Sequence, residues 1–105
     1  MLESTYQAKL IKRLTSMFPG CLILKNDTAY LQGIPDLLIL FREYWAMLEV
    51  KPSRDAPNQP NQEHYIHQLD LMSFASFIYP ENEEDVLYDL QRAFGFERPA
   101  RISQR

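Results

Sequence analysis

The stretch GIPDLLILFREYWAMLEVK, residues 33–51, decides how this chain is read. It holds two apolar runs, 36–41 and 45–51, separated by Arg42-Glu43-Tyr44. Short apolar runs rich in Leu, Ile, Val and aromatic residues on either side of a polar break predict two strands of a β-hairpin. Yet Asp36 opens the first strand, and Glu49 and Lys51 close the second. Charges inside or beside core strands cost free energy unless something compensates them.

Strand parity says where these charges point. Successive side chains alternate faces, so Glu49 and Lys51 share one face with Trp45 and Met47, while Ala46, Leu48 and Val50 take the other. With an even-length connection, closure around residues 43–44 sets Asp36 opposite Lys51 and diagonal to Glu49. A connection tighter by one register step sets Asp36 directly opposite Glu49. In both registers the three groups converge within about 5–8 Å, and an odd connection separates them. Two close carboxylates need a cation between them. Lys51 supplies one, as a plain structural ion pair. A divalent metal supplies another, and oxygen donors without Cys or His suit Mg²⁺ or Mn²⁺ rather than zinc. A metal between two acids and a lysine is a competent site for phosphodiester hydrolysis. Residue types alone leave the structural and the catalytic readings equal.

Working outward, residues 2–18 carry Leu2, Tyr6, Leu10, Leu14, Met17 and Phe18 at helical spacing, and Pro19-Gly20 stops the helix. Residues 21–25 suit a strand, and 26–33 a polar loop. Residues 51–62 form the longest irregular segment, and from the composition of 52–62 the expectation is a stretch that orders only on DNA. Pro60 fits the first turn of a second helix, with Ile66, Leu69 and Met72 on its apolar side. Residues 74–79 read as a strand ended by Pro80. Asn82 reads as the cap of a third helix that buries Val86, Leu87, Leu90, Ala93 and Phe94 and stops at Gly95. The order αβββαβα predicts an α/β fold, a small mixed β-sheet flanked by helices. Residues 1–97 form the single domain, and 98–105 a basic, flexible tail.

The bulk numbers agree with one small globular domain. The chain has 105 residues, 46% of them hydrophobic and 24% charged, with a net charge of −3. Residues 1–54 hold seven basic against five acidic side chains, and residues 55–105 four against nine. Metal occupancy of acids in the first half would leave that half distinctly positive. No apolar run reaches membrane-spanning length and no signal-peptide pattern opens the chain, so no membrane partner is expected. The lone Cys21 excludes an internal disulfide framework and reads as a buried, inert thiol. A reducing, cytoplasmic location follows as the expectation.

The spelling of the hairpin, with PNQPNQEHYIHQL after it, resembles the PD-(D/E)XK nuclease superfamily. More narrowly, it resembles the stand-alone VRR-NUC branch, the virus-type replication-repair nucleases. Gly-x-Pro-Asp opens one strand, Glu-Val-Lys closes another with Asp36 and Glu49 thirteen residues apart, and a Gln heads the next helix. The likeness covers roughly residues 3–80 and implies a restriction-endonuclease-like core. It implies Asp36 and Glu49 as metal ligands, the Val50 carbonyl as a backbone ligand and Lys51 as the catalytic lysine. Gln62 matches the family glutamine, with Gln59 as the alternative one turn away. Glu3 matches a helical acid supporting the metal, and Gly33 a glycine that lets the backbone pass close to the site.

The implied activity is Mg²⁺-dependent cleavage of DNA, with Mn²⁺ able to substitute, and no nucleotide cofactor. Branched substrates such as four-way junctions, in phage-like replication, recombination or repair, are what the stand-alone relatives suggest. The location would then be a bacterial host cytoplasm. Symmetric cutting calls for a homodimer. Lys9, Lys12, Arg13, Lys25, Arg42 and Arg54 are candidates for phosphate contacts. The alternative is a non-catalytic nucleic-acid-binding module on the same fold, which has no need of the full set Asp36, Glu49, Lys51 and Gln62. His64 and His67 read as surface residues, Trp45 as packing, and Glu83, Glu84 and Asp85 as helix-start acids only.

Overall fold

A computed structural model describes residues 1–101. Its elements are α1 (Glu3–Met17), β1 (Leu22–Lys25), β2 (Leu37–Phe41), β3 (Tyr44–Val50), α2 (Gln62–Met72), β4 (Phe74–Ile78) and α3 (Glu83–Ala93). The four strands form one mixed sheet in the order β1-β2-β3-β4. The β1/β2 and β2/β3 pairs are antiparallel, and β3/β4 is parallel, with α2 as the crossover. The expected order αβββαβα and the α/β class are both present. No helix among the described residues is long and apolar enough to cross a membrane.

Period-two alternation divides the sheet into two faces. Leu37, Ile39, Phe41, Ala46, Leu48, Val50 and Ile78 turn to one face, where Leu10, Leu14 and Phe18 of the α1 segment and Val86, Leu87, Leu90 and Phe94 of the α3 segment complete a single core. Phe18 sits at its centre, edge-on to Phe94 at 5.0 Å and tilted against Phe41 at 5.3 Å. The opposite face carries Leu38, Leu40, Trp45, Met47, Glu49 and Lys51. There α2 lies against β4 and β3, and Gln62 is its one buried residue.

Several expectations need correcting. Leu2 precedes α1 and is 74% exposed, and Met72 at the end of α2 is 65% exposed, so neither joins a core. Glu83 is more than a helix-start acid. It is buried, and accepts hydrogen bonds from the Tyr6 hydroxyl at 2.6 Å and from the Arg13 guanidinium, tying α3 to α1. Burial and this bond to a carboxylate raise the Tyr6 pKa. Asn82 does precede α3, but its side chain faces backward, accepting from Tyr79 N–H and donating to the Phe77 carbonyl. At the start of the segment expected as a flexible tail, Ala100 and Arg101 contact α3. Ala100 exchanges two hydrogen bonds with the Gln91 side chain, and Arg101 pairs with Asp85. The rest of that segment, 102–105, lies outside the described residues. Cys21 is half-buried, and burial pushes its thiol pKa up.

Candidate functional site

The hairpin closes through a two-residue connection, with Phe41 opposite Tyr44 and Arg42 in the left-handed region at φ 56°. Leu37 pairs with Leu48, so the same register continued by one residue sets Asp36 opposite Glu49. This is the tighter of the two even registers. Asp36 is anchored where β1 ends and β2 begins: Asn26 N–H donates to the Asp36 carbonyl at 2.8 Å, and the Asn26 amide to the carbonyl of fully buried Pro35 at 2.8 Å. The Asp36 carboxylate turns across to β3 and accepts the Val50 N–H at 2.9 Å. The N–H and C=O of one extended residue point to the same edge of the strand, so the Val50 carbonyl faces that edge too.

Glu49 is only 4% exposed, and its Oε1 has no hydrogen-bond partner. Burial pushes its pKa up to about 8, helped by the adjacent Asp36 charge and a hydrogen bond shared with the Asp36 carboxyl, and opposed by Lys51. An unpartnered buried carboxylate oxygen normally costs several kcal/mol, so a group of this kind calls for a cation or a proton. Glu3 borders the same cleft from the first turn of α1. Partial burial and then Asp36 raise its pKa, and Lys51 lowers it.

Lys51 is 6% exposed and continues from β3, its N–H donating to the Ile78 carbonyl at 2.9 Å. Its ammonium donates to the Pro57 carbonyl at 3.0 Å and to Gln62 Oε1 at 2.7 Å. Gln62 Oε1 also accepts the Gln59 N–H at 2.8 Å, so the side chain touching the lysine is that of Gln62, and Gln59 meets it through its backbone. The irregular segment is thus a hydrogen-bonded wall of the site, with Ala56 N–H also bonded to the Ser53 carbonyl. Gly33 stands opposite it at φ 94°, where a Cβ would lie 2.7 Å from the Pro60 carbonyl and 2.6 Å from Asn61 Cβ. Only glycine brings these two loops together without strain.

These residues border one cleft of about 540 Å³, which includes Glu3, Gly33, Asp36, Glu49, Lys51 and Gln62. Of the cationic candidates, Lys9, Lys12, Lys25 and Arg42 are exposed and do not border it. The Arg42 guanidinium lies 4.8 Å from the Phe41 ring centre, Arg13 is engaged with Glu83, and Arg54 borders an adjoining pocket. Thr28, Gln32 and the Pro57 carbonyl also border the cleft or hold its lysine; no sequence pattern singles them out.

Among the described residues no group of three or more His, Cys, Asp and Glu side chains is placed to enclose an ion. Two carboxylates and a backbone carbonyl remain. Mg²⁺ is commonly bound in this way, by one or two carboxylates while it keeps several waters. The donor set and the orphaned Glu49 Oε1 therefore fit a hard divalent cation. In comparisons with protein-family models, curated proteins and solved structures, no match to the chain was found.

Proposed function

We propose that the chain is a metal-dependent endonuclease that hydrolyses DNA phosphodiester bonds on a restriction-endonuclease-like core. The observation carrying this reading is the buried Glu49 carboxyl, set opposite Asp36 with an unpartnered oxygen and beside a lysine held by two acceptors. Asp36, Glu49 and the Val50 carbonyl would hold Mg²⁺ or Mn²⁺, with Glu3 as an outer acid. When bound, such an ion acidifies a water and polarises a phosphate oxygen. Lys51 does the rest of the work. An ammonium has three donors, two of which are spent on Pro57 and Gln62, leaving one for a phosphate oxygen or the attacking water. Gln62 and Pro57 fix where that donor stands. The cleft walls from 33–34 and 56–62 limit water around the developing charge.

The resemblance adds a product with a 3′-hydroxyl and a 5′-phosphate, and branched DNA as substrate. A domain this small has little surface for reading a long sequence, which favours recognition of DNA shape. Paired cuts in two strands would use two copies of the chain, as a cytoplasmic homodimer. The test is to incubate the protein with a four-way junction, a fork, linear duplex and supercoiled plasmid, in Mg²⁺, Mn²⁺ or EDTA. Cleavage that needs metal and is lost in Glu49→Ala and Lys51→Ala is the expected result. Cleavage surviving both substitutions, or none under any condition, sinks the proposal.

A further inference from the structure

A second pocket of about 310 Å³ adjoins the cleft, and Lys51 borders both. Its other walls include Arg54, Asn58, Glu63, Phe77 and Tyr79. Phe77 and Tyr79 are two residues apart at the end of β4, which places both rings on the face that carries Glu49 and Lys51. The Lys51 ammonium lies 5.9 Å from the Phe77 ring centre. Asn58 Nδ2 donates to Glu63 Oε1 at 2.8 Å, which leaves the Asn58 amide oxygen and the second Glu63 oxygen as acceptors.

The chemistry of these walls selects the ligand. The Glu63 carboxylate offsets one of the two cations, Lys51 and Arg54, so the charge of the walls does not by itself select a second backbone phosphate. Aromatic rings favour a flat π-system, and two free acceptors favour a ring that presents N–H donors. The volume is at the lower end of the range for small-molecule sites and has room for one nucleobase. We propose that this pocket takes the base of the nucleotide beside the scissile phosphate, and prefers one with an exocyclic amino group. Cytosine, adenine and guanine carry that donor; uracil and thymine lack it and present a single N3–H between two carbonyls, which meet Glu63 unfavourably. The inference rests on the nuclease reading for its place in the reaction. It gives the enzyme a base preference at the cut even though its substrate is chosen by shape.

Binding and cleavage test it separately. The full chain, free of metal, is titrated with dCMP, dUMP and 2-deoxyribose 5-phosphate and followed by NMR shifts. Expected are shifts centred on Asn58, Glu63, Phe77 and Tyr79, with dCMP bound roughly tenfold more tightly than dUMP. Glu63→Gln should erase that preference. Tyr79→Ala should weaken dCMP roughly fivefold or more, and Tyr79→Phe should restore it. Equal binding of all three ligands would overturn the pocket. In parallel, a single abasic site is moved along the cleaved strand of the junction, and slower cleavage at one position flanking the cut is expected. Metal-dependent cleavage with no such position and no dCMP preference overturns the pocket alone. A dCMP preference in a chain that cuts nothing supports the base pocket and overturns the nuclease reading alone.

Discussion

The Asp36 carboxylate accepts the backbone N–H of Val50 at 2.9 Å, so one side chain both charges the site and fastens the strand that carries Glu49 and Lys51. These two roles can be separated. Asp36→Asn keeps an oxygen acceptor for the buried Val50 amide, whereas Asp36→Ala leaves it unpaired. Asp36→Asn should therefore stay within about 1 kcal/mol of the parent, and Asp36→Ala should lose about 1–3 kcal/mol. Both should abolish metal-dependent cleavage. Urea unfolding beside a cleavage assay reads the split, and retained activity in Asp36→Asn would refute a ligand role.

Glu49 makes the metal-free protein sensitive to pH. Its carboxyl titrates at about 8 in the fold, against 4.5 for an ordinary glutamate. Between those values the folded chain holds a proton that the unfolded chain has released. Stability from this group is thus fully present below about 4.5 and is lost as pH rises through about 8. Thermal melts in EDTA should show that decline, and Glu49→Gln should flatten it. At pH 8 and above, Mg²⁺ should raise the melting temperature of the parent but not of Glu49→Gln. Saturation to a hundred times Kd corresponds to about 2.7 kcal/mol.

Gln62 acts through Lys51, and its substitution should show that dependence. Its Oε1 holds the ammonium at 2.7 Å and shares the job with the Pro57 carbonyl. Gln62→Ala should reduce cleavage roughly 10- to 100-fold, the scale of a misplaced catalytic group. In a Lys51→Arg background, where a cation remains but the Gln62 contact is altered, the same change should have a much smaller further effect on cleavage, the signature of coupled residues. Gln59→Ala should be nearly silent, because Gln59 reaches the site through its backbone N–H. An additive double mutant would separate Gln62 from the lysine.

The two strands and their shared charged face are legible because residues 36–51 hold two apolar runs around a polar break, and strand geometry puts alternate residues on one face. The register is not legible. It depends on Arg42 taking a left-handed conformation, which sequence signals through Gly or Asn and here assigns to an arginine. The lysine's second acceptor is the Pro57 carbonyl, a backbone atom that no residue type announces. Gly33 is legible as a glycine needed near the site, but its contact, Pro60-Asn61, lies across the chain. Composition also misleads at 51–62, where prolines and amides suggest a segment awaiting a partner. Those residues instead use their backbone to hold Lys51 and Gln62.

Glu83 is the clearest contact beyond the reach of pattern, since its partners Tyr6 and Arg13 are 77 and 70 residues away. As the first residue of α3 it suits the helix dipole on an exposed surface, yet here it is 5% exposed. Removing a buried carboxylate takes the acceptor from the Tyr6 hydroxyl and one partner from the Arg13 guanidinium, a change worth about 3–5 kcal/mol when both charges of such a pair are fully enclosed. The Arg13 side chain keeps 24% of its exposure, so water recovers part of that loss. Glu83→Ala should therefore destabilise the protein by about 2–4 kcal/mol in urea unfolding, and Tyr6→Phe by about 1 kcal/mol. The pair should be non-additive, because in Glu83→Ala the Tyr6 hydroxyl has already lost its acceptor. Cleavage per folded molecule should fall little, since no member of the trio borders the cleft. A loss below about 0.5 kcal/mol for Glu83→Ala, the level of ordinary surface changes, would return it to the status of a helix-start acid.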